Sequence, residues 1–157
     1  ILMRYPKEIN PKTEINELIQ NLDFAPTFLD YANISKPSDI QGLSFRKLLK
    51  NQSEKIKWRD AIYYTYYEYP SVHMVKRHYG IRTKQYKLMH FYYDIDEWEM
   101  YDLDNDPSEM KNIYNDPKYS KIKKNLHERL SELKLKYGDS DSLNKMHIKR
   151  YLKSIKK

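Results

Sequence analysis

Cysteine is absent from this 157-residue sequence, and glycine occurs only three times. Without cysteine, these residues cannot form a disulfide framework, a thiolate zinc site or a cysteine nucleophile. No segment approaches the roughly 18 consecutive apolar residues of a transmembrane helix, so we expect no membrane partner. The composition, 39% hydrophobic and 32% charged, is instead typical of an ordered domain that buries a core.

Positive charge is distributed unevenly along the chain. The net charge is +7, yet residues 118–157 contain 13 Lys or Arg against 4 Asp or Glu, whereas residues 1–117 contain 16 against 18. A Lys-rich terminal helix is usually a solvated face, so we expect no nucleic-acid partner. A stand-alone basic, Tyr-rich module that binds nucleic acid or another polyanion stays open as the alternative, since stacked tyrosines can bind bases.

The first part of the chain predicts a mixture of elements. Residues 1–6 suggest a short buried strand that ends at a proline, and a helix is expected from about Phe24 to Ala32 with Asp23 as its N-cap. The polar stretch of residues 50–57 predicts an internal boundary. We therefore expect one domain portion over residues 1–50 and a second over residues 51–157.

The second part of the chain predicts an α+β unit. From Ala61 the apolar and aromatic residues follow a period of two, which favours β-strands joined by short connections in an antiparallel meander. The four expected strands cover residues 61–69, 80–83, 86–92 and 98–103. A helix follows, with Asp116 as its cap, Pro117 in its first turn and Gly138 as its stop. Its apolar stripe comprises Tyr119, Ile122, Leu126, Leu130, Leu133 and Tyr137. The stripe predicts that this C-terminal helix packs on one face of a four-stranded antiparallel sheet. Residues after 139 predict either a short helix or a frayed end.

Residues 98–115 form the most informative block, because an alternating strand runs there into an Asp-Asn-Asp-Pro turn followed by Glu109. The block resembles the "LYDLxxDPxExxNL" signature of sulfatases, which belong to the alkaline-phosphatase-like superfamily. Residues 21–32 resemble the "DxxPTxLxxA" helix of that family, and residues 41–45 its following "xGxS" turn. Residues 58–61 (Trp-Arg-Asp-Ala) resemble the start of the C-terminal subdomain of that family. Residues 77–88, which contain Arg-Thr and Tyr-Lys-Leu, resemble a hairpin of the same subdomain. The resemblance extends over roughly residues 1–137.

The resemblance implies a position within a longer enzyme. Residues 1–50 would be the end of the catalytic α/β domain, and residues 51–157 would be the C-terminal subdomain, so the upstream catalytic domain of the same polypeptide is the expected partner. A first residue other than Met fits that expectation. The alternative within the superfamily is the equivalent domain of a phosphatase or phosphodiesterase.

The resemblance also implies chemistry that this chain does not carry by itself. In sulfatases a "C/S-x-P-x-R" motif supplies the formylglycine nucleophile, and residues 35–39 (Ser-Lys-Pro-Ser-Asp) have Asp39 where the arginine is required. We therefore expect no catalytic residue and no metal ligand in this chain. Formylglycine and Ca²⁺ would belong to the full-length parent, which would hydrolyse sulfate esters of sulfated carbohydrates in the periplasm or outside the cell.

The loop of residues 71–79 is the best candidate for substrate contact, because the C-terminal subdomain of sulfatases lies beside the active-site mouth. It places His73, Lys76, Arg77 and His78 within six positions. Arginine and histidine suit the anionic sulfate and the hydroxyls of a sulfated sugar. We predict substrate binding by His73, Arg77 and His78; the alternative is a solvated basic loop. A metal site is disfavoured because no carboxylate or third histidine lies nearby.

Overall fold

The computed structural model describes residues 1–50, 56–70 and 73–154. The chain divides into two compact units, an N-terminal unit of Ile1–Asp60 and a C-terminal unit of Ala61–Lys157. Most of the predicted connector, residues 51–55, lies outside the described residues. The assignment of residues 1–50 and 51–157 to two sulfatase domains therefore stays a prediction.

The N-terminal unit is built around two helices. Helix α1 (Phe24–Tyr31) follows a 3-10 turn at Asn21–Asp23, and a short helix α2 covers Arg46–Leu49. The core of the unit comprises the buried side chains of Phe45, Leu48 and Leu49, against which aromatic residues such as Phe24 and Trp58 pack. The helix expected from Phe24 to Ala32 is thus confirmed to within one residue.

The strand predicted over residues 1–6 is wrong. These residues form an irregular segment with a turn, and the side chains of Ile1 and Leu2 are 80% and 102% exposed. A strand satisfies its backbone groups by pairing with a neighbour. Within the described part of the chain, the only sheet is formed by residues 61–102, so residues 1–6 have no strand beside them.

Asp23 joins distant segments of the N-terminal unit. Its side chain is fully buried, and it accepts hydrogen bonds from the backbone N–H groups of Gln20 and Leu43, both at 2.8 Å. The guanidinium of Arg59 forms an ion pair with the same carboxylate. Burial alone would raise the pKa of Asp23, but Arg59 and the two backbone donors outweigh it and hold the pKa below its usual value. The predicted capping bond to α1 is absent, because the carboxylate is engaged by these long-range partners.

The C-terminal unit contains a four-stranded antiparallel sheet in sequential order, as predicted. Its strands are β1 (Ala61–Tyr66), β2 (His78–Thr83), β3 (Tyr86–Phe91) and β4 (Glu97–Asp102). The first strand ends three residues earlier than expected. Helix α3 (Ser120–Lys136) follows a 3-10 turn at Pro117–Tyr119, and the tail forms a further helix, α4 (Asp141–Ser154). Of the two alternatives for the tail, residues 141–154 therefore form the helix.

One face of the sheet forms the core with α3. Ile81 lies opposite Leu88, and Leu88 lies opposite Met100, so the three share a face, and all are 0% exposed. Leu126 and Leu130 of α3 pack against them at 2% exposed. The predicted apolar stripe is thus confirmed as the contact between helix and sheet. Gly138 ends α3 with a φ of +70°, a conformation that glycine adopts without strain.

In the block of residues 98–115, side-chain hydrogen bonds join β4 to the turn that follows it. Asn112 accepts hydrogen bonds from the backbone N–H groups of Met100 at 3.1 Å and Tyr114 at 3.0 Å, and it donates to the carbonyl of Trp98. Asp106 accepts from the backbone N–H groups at positions 110 and 111. These polar side chains therefore shape a turn, which is a structural task.

Replacing Asp23 by Asn should lower the free energy of unfolding of the N-terminal unit by about 3 to 5 kcal/mol, because the guanidinium of Arg59 would lose its countercharge in a buried position. Urea titration followed by the fluorescence of Trp58, in a Trp98→Phe background, measures this. Asp39→Asn changes an exposed carboxylate in the same unit and should have little effect. Equal losses for the two variants would contradict a structural role for the Asp23 ion pair.

Candidate functional site

Two loops meet at one end of the sheet. Because successive strands are antiparallel, the β1–β2 connection (described for residues 67–70 and 73–77) and the β3–β4 connection (residues 92–96) lie at the same end. Lys76 of the first loop forms an ion pair with Asp94 of the second, which lowers the pKa of Asp94 and raises that of Lys76. Lys76 Nζ also donates to the hydroxyl of Tyr69 at 2.9 Å. The two connections therefore form one polar surface.

His73 has an exposed side chain on the first loop. It occupies a turn, and Met74 beside it has a φ of +51° and is 64% exposed. An exposed imidazole can offer a ligand two donors when it is protonated, or one donor and one acceptor when it is neutral. Among the three predicted substrate-binding residues, it has the environment that best fits contact with a dissolved sugar.

Arg77 is buried and forms contacts within the unit. Its side chain is only 5% exposed, and Nε donates to the carbonyl of Tyr69 at 2.6 Å. The guanidinium lies 5.5 Å from the ring centroids of both Tyr93 and Tyr151. Such cation–π contacts stabilise a desolvated arginine. In this arrangement Arg77 joins the two loops to α4, and its remaining donors lie beneath the surface.

His78 begins β2 and packs against aromatic rings. It lies opposite Tyr66 and Phe91 in the sheet, with ring centroid distances of 5.8 and 5.4 Å. Its Nδ1 is 2.8 Å from the carbonyl oxygen of Lys76, so Nδ1 carries the proton and donates. Since neighbouring residues in a strand point to opposite faces, His78 lies on the face opposite to Tyr79.

A cluster of aromatic rings and histidines lies on the face covered by α3. His90 stacks on Trp98 at 4.2 Å between ring centroids, and His127 of α3 contacts the same indole at 4.3 Å. His90 also donates from Nε2 to Asp96 at 2.6 Å. Burial, with Lys123 and His90 nearby, lowers the pKa of His127. The strand register and the helix period could have indicated this cluster, because they place all its members on one face.

The described residues do not fit a catalytic metal centre or a formylglycine. Across residues 1–50, 56–70 and 73–154, no three His, Asp or Glu side chains come together as metal ligands would. The sequence contains no cysteine, and residues 35–39, which come nearest to the nucleophile motif, have Asp39 where that motif requires arginine. In the same described part, no helix is long and apolar enough to cross a membrane.

Comparison with known proteins identifies relatives of this chain. The sequence model of the family "N-sulphoglucosamine sulphohydrolase, C-terminal" matches residues 1–136. An N-acetylglucosamine-6-O-sulfatase of Bacteroides thetaiotaomicron is 51% identical over 142 residues, which cover 90% of this chain and 25% of that protein. An arylsulfatase of Clostridium perfringens is 31% identical over 145 residues, covering 90% of this chain and 28% of that protein.

A solved structure extends the similarity to the fold. It is a protein in complex with its substrate D-glucosamine-2-N,6-O-disulfate, and it aligns with a TM-score of 0.82 at 51% identity. The alignment covers 88% of this chain and 28% of that structure. The chain thus spans about a quarter of the length of the proteins that it matches.

The lowered pKa of His127 predicts a loss of stability in acid. Because the folded state holds the pKa below the ordinary 6.5, the unfolded state binds more protons near that pH. The free energy of unfolding should therefore fall as the pH drops from about 6.5 through the lowered pKa of the folded state, and His127→Gln should flatten this dependence. Urea titrations over that pH range measure the slope. The control Asn125→Gln, exposed on the same helix, should keep the original slope; an unchanged slope in His127→Gln would refute the assignment.

Proposed function

This chain belongs to the family of N-sulphoglucosamine sulphohydrolase C-terminal domains. From that membership we propose that it is the C-terminal portion of a sulfatase. The proposed enzyme hydrolyses the 6-O-sulfate ester of an N-substituted glucosamine. One observation carries the proposal, namely the 51% identity to an N-acetylglucosamine-6-O-sulfatase over 90% of this chain. The solved structure with a bound 2-N,6-O-disulfated glucosamine supports the same sugar and the same ester position.

The catalytic groups of the proposed enzyme belong to the part of the polypeptide that precedes this chain. We assign to it the formylglycine nucleophile and Ca²⁺ that sulfatases use, and the upstream catalytic domain is the partner with which this chain would fold. The parts of the present chain that the structure describes contain neither the nucleophile motif nor a group of three metal-ligating side chains. The proposed role of this chain is to complete the fold and to contribute side chains to substrate binding.

Within that role we propose that His73 contacts the substrate directly. Its exposed imidazole can donate a hydrogen bond to a sulfate oxygen or a sugar hydroxyl. Arg77 is proposed to act through its buried contacts with Tyr93 and Tyr151, which support the loop that presents His73. A substrate contact by His78 would require its ring to leave its aromatic neighbours on the sheet. Among the three residues predicted to bind substrate, His78 is therefore the weakest candidate.

The proposed substrate also bears on the compartment. A sulfated sugar carries a permanent negative charge, and moving an unpaired charge through hydrocarbon is very costly. We therefore propose that the parent enzyme acts in the periplasm or outside the cell, where such sugars are accessible. Cell fractionation with detection of the parent enzyme tests the location.

The polypeptide that contains this chain should release sulfate from N-acetylglucosamine 6-O-sulfate at least tenfold faster, by kcat/KM, than from an unsaturated hexuronate 2-O-sulfate. A tenfold ratio corresponds to about 1.4 kcal/mol of transition-state discrimination. Ion chromatography of the released sulfate measures it. N-sulfoglucosamine without a 6-O-sulfate serves as the control and should release little sulfate. Release mainly from the uronate, or hydrolysis of phosphate monoesters alone, would contradict the proposal.

In the same enzyme, His73→Ala should lower kcat/KM for the 6-O-sulfated sugar by roughly ten- to a hundredfold, because the loss of one hydrogen bond to a charged group costs about 1.5 to 3 kcal/mol. His73→Gln keeps a donor and should retain more activity. Met74→Ala truncates an exposed neighbour on the same loop and should leave the kinetics unchanged. Unaltered kcat and KM in His73→Ala would refute the contact while leaving the proposed reaction intact.

A further inference from the structure

Tyr69 is the residue at which the two ends of the His73 loop meet. Its hydroxyl accepts a hydrogen bond from Lys76 Nζ at 2.9 Å, and the same ammonium lies 4.5 Å from the centroid of its ring. The backbone carbonyl of Tyr69 accepts a second hydrogen bond, from Arg77 Nε at 2.6 Å. The chain that precedes residues 70–75 and the chain that follows them are therefore joined through one residue.

The β3–β4 connection supports these contacts from outside the loop. The ring of Tyr93 packs edge-on against the ring of Tyr69, with 6.1 Å between the centroids. The next residue, Asp94, forms the ion pair with Lys76. We call Tyr69, Lys76 and Asp94 the loop anchor. Because Asp94 belongs to the other connection, the loop anchor joins the His73 loop to the neighbouring part of the sheet.

Residues 73–75 have no such contacts of their own. Within the part of the chain that the structure describes, none of the three forms a hydrogen bond, an ion pair or a ring contact with another residue. Met74 and Val75 are 64% and 43% exposed. Lys76 is thus the first residue after His73 that is held in place. A chain spans up to about 3.6 Å per residue, so the loss of this contact would allow His73 to move by more than the tolerance of a hydrogen bond.

The surroundings of Lys76 favour an anchoring role over direct binding of sulfate. Two of the three N–H donors of the ammonium are engaged, one by Tyr69 and one by Asp94. A sulfate at the third donor would lie beside the carboxylate of Asp94, and the two negative charges would repel each other. The side chains of Lys76 and Asp94 are 37% and 32% exposed, so their ion pair adds little to the overall stability. Its effect is on local geometry.

We propose that Asp94 is a positioning residue for the reaction. It holds Lys76, and through Lys76 and Tyr69 it fixes the segment from which His73 contacts the substrate. This role, which rests on the proposed function and on the contact of His73 with the sulfated sugar, requires no contact between Asp94 and the sugar. A side chain that is already in place loses less freedom when the substrate binds, so the loop anchor raises kcat/KM.

In the full polypeptide, Asp94→Asn should lower kcat/KM for N-acetylglucosamine 6-O-sulfate by roughly fivefold, because His73 loses its fixed position. Lys76→Met should have the same effect, whereas Lys76→Arg keeps a cation for Asp94 and should retain most of the activity. Asp96→Asn is the matched control, since this carboxylate of the same connection accepts from His90 instead and its loss should leave the kinetics unchanged. Ion chromatography of the released sulfate measures each rate.

A double-mutant cycle with His73→Ala separates positioning from a general structural role. In the His73→Ala background, Asp94→Asn should lower kcat/KM by less than about twofold, because the side chain that it positions is gone. Amide hydrogen exchange supplies a readout that needs no substrate. In Asp94→Asn, residues 73–77 should exchange faster while the melting temperature stays the same, since only the loop is released.

Four results would overturn the positioning role. The first two are an unchanged kcat/KM in Asp94→Asn and a second fivefold loss when Asp94→Asn is added to His73→Ala. The third is a rise in kcat/KM in Asp94→Asn, because a released Lys76 would then bind the sulfate directly. The fourth is unaltered hydrogen exchange of residues 73–77. A failure of the proposed reaction is distinguishable from all four, because the unaltered enzyme would then release no sulfate from the 6-O-sulfated sugar.

Discussion

The single sheet face that α3 covers determines the layout of the C-terminal unit. Ile81, Leu88 and Met100 stand in register on that face and are completely buried. A slip of one residue in any strand would turn its buried side chains towards the opposite face. The register is therefore strongly specified. The antiparallel order of the strands brings residues 67–70 and 73–77 to the same end of the sheet as residues 92–96.

This layout explains why neighbours in the sequence have different environments. His73 lies on the exposed loop, Arg77 lies beneath it between Tyr93 and Tyr151, and His78 lies in the sheet. The environments differ because the loop ends at Arg77 and β2 begins at His78. In the strand, the pleat and the neighbouring strands determine the direction and the contacts of the His78 side chain. Tyr151 belongs to α4, which lies far from Arg77 in the sequence. No local pattern around Arg77 could therefore have predicted the burial of the Arg77 side chain.

Patterns in the nearby sequence predicted those elements that are determined by neighbouring residues. The period of two marks the strands, the apolar stripe marks α3, and Gly138 ends that helix because its φ of +70° favours glycine. Predictions that depended on distant partners fared worse. Residues 1–6 have strand-like composition but no neighbouring strand in the described structure. Asp23 occupies a capping position, yet Leu43 and Arg59 engage its carboxylate from 20 and 36 residues away.

The strongest motif in the sequence therefore concerns the fold and not the substrate. In the block of residues 98–115, Asp106 and Asn112 use their side chains to hold a turn and to join β4 to the following segment. Such groups are satisfied internally and have little capacity left for a ligand. His73, in contrast, lies exposed in a loop outside the core. The residues that identify the family and the residue proposed to contact a substrate are thus different.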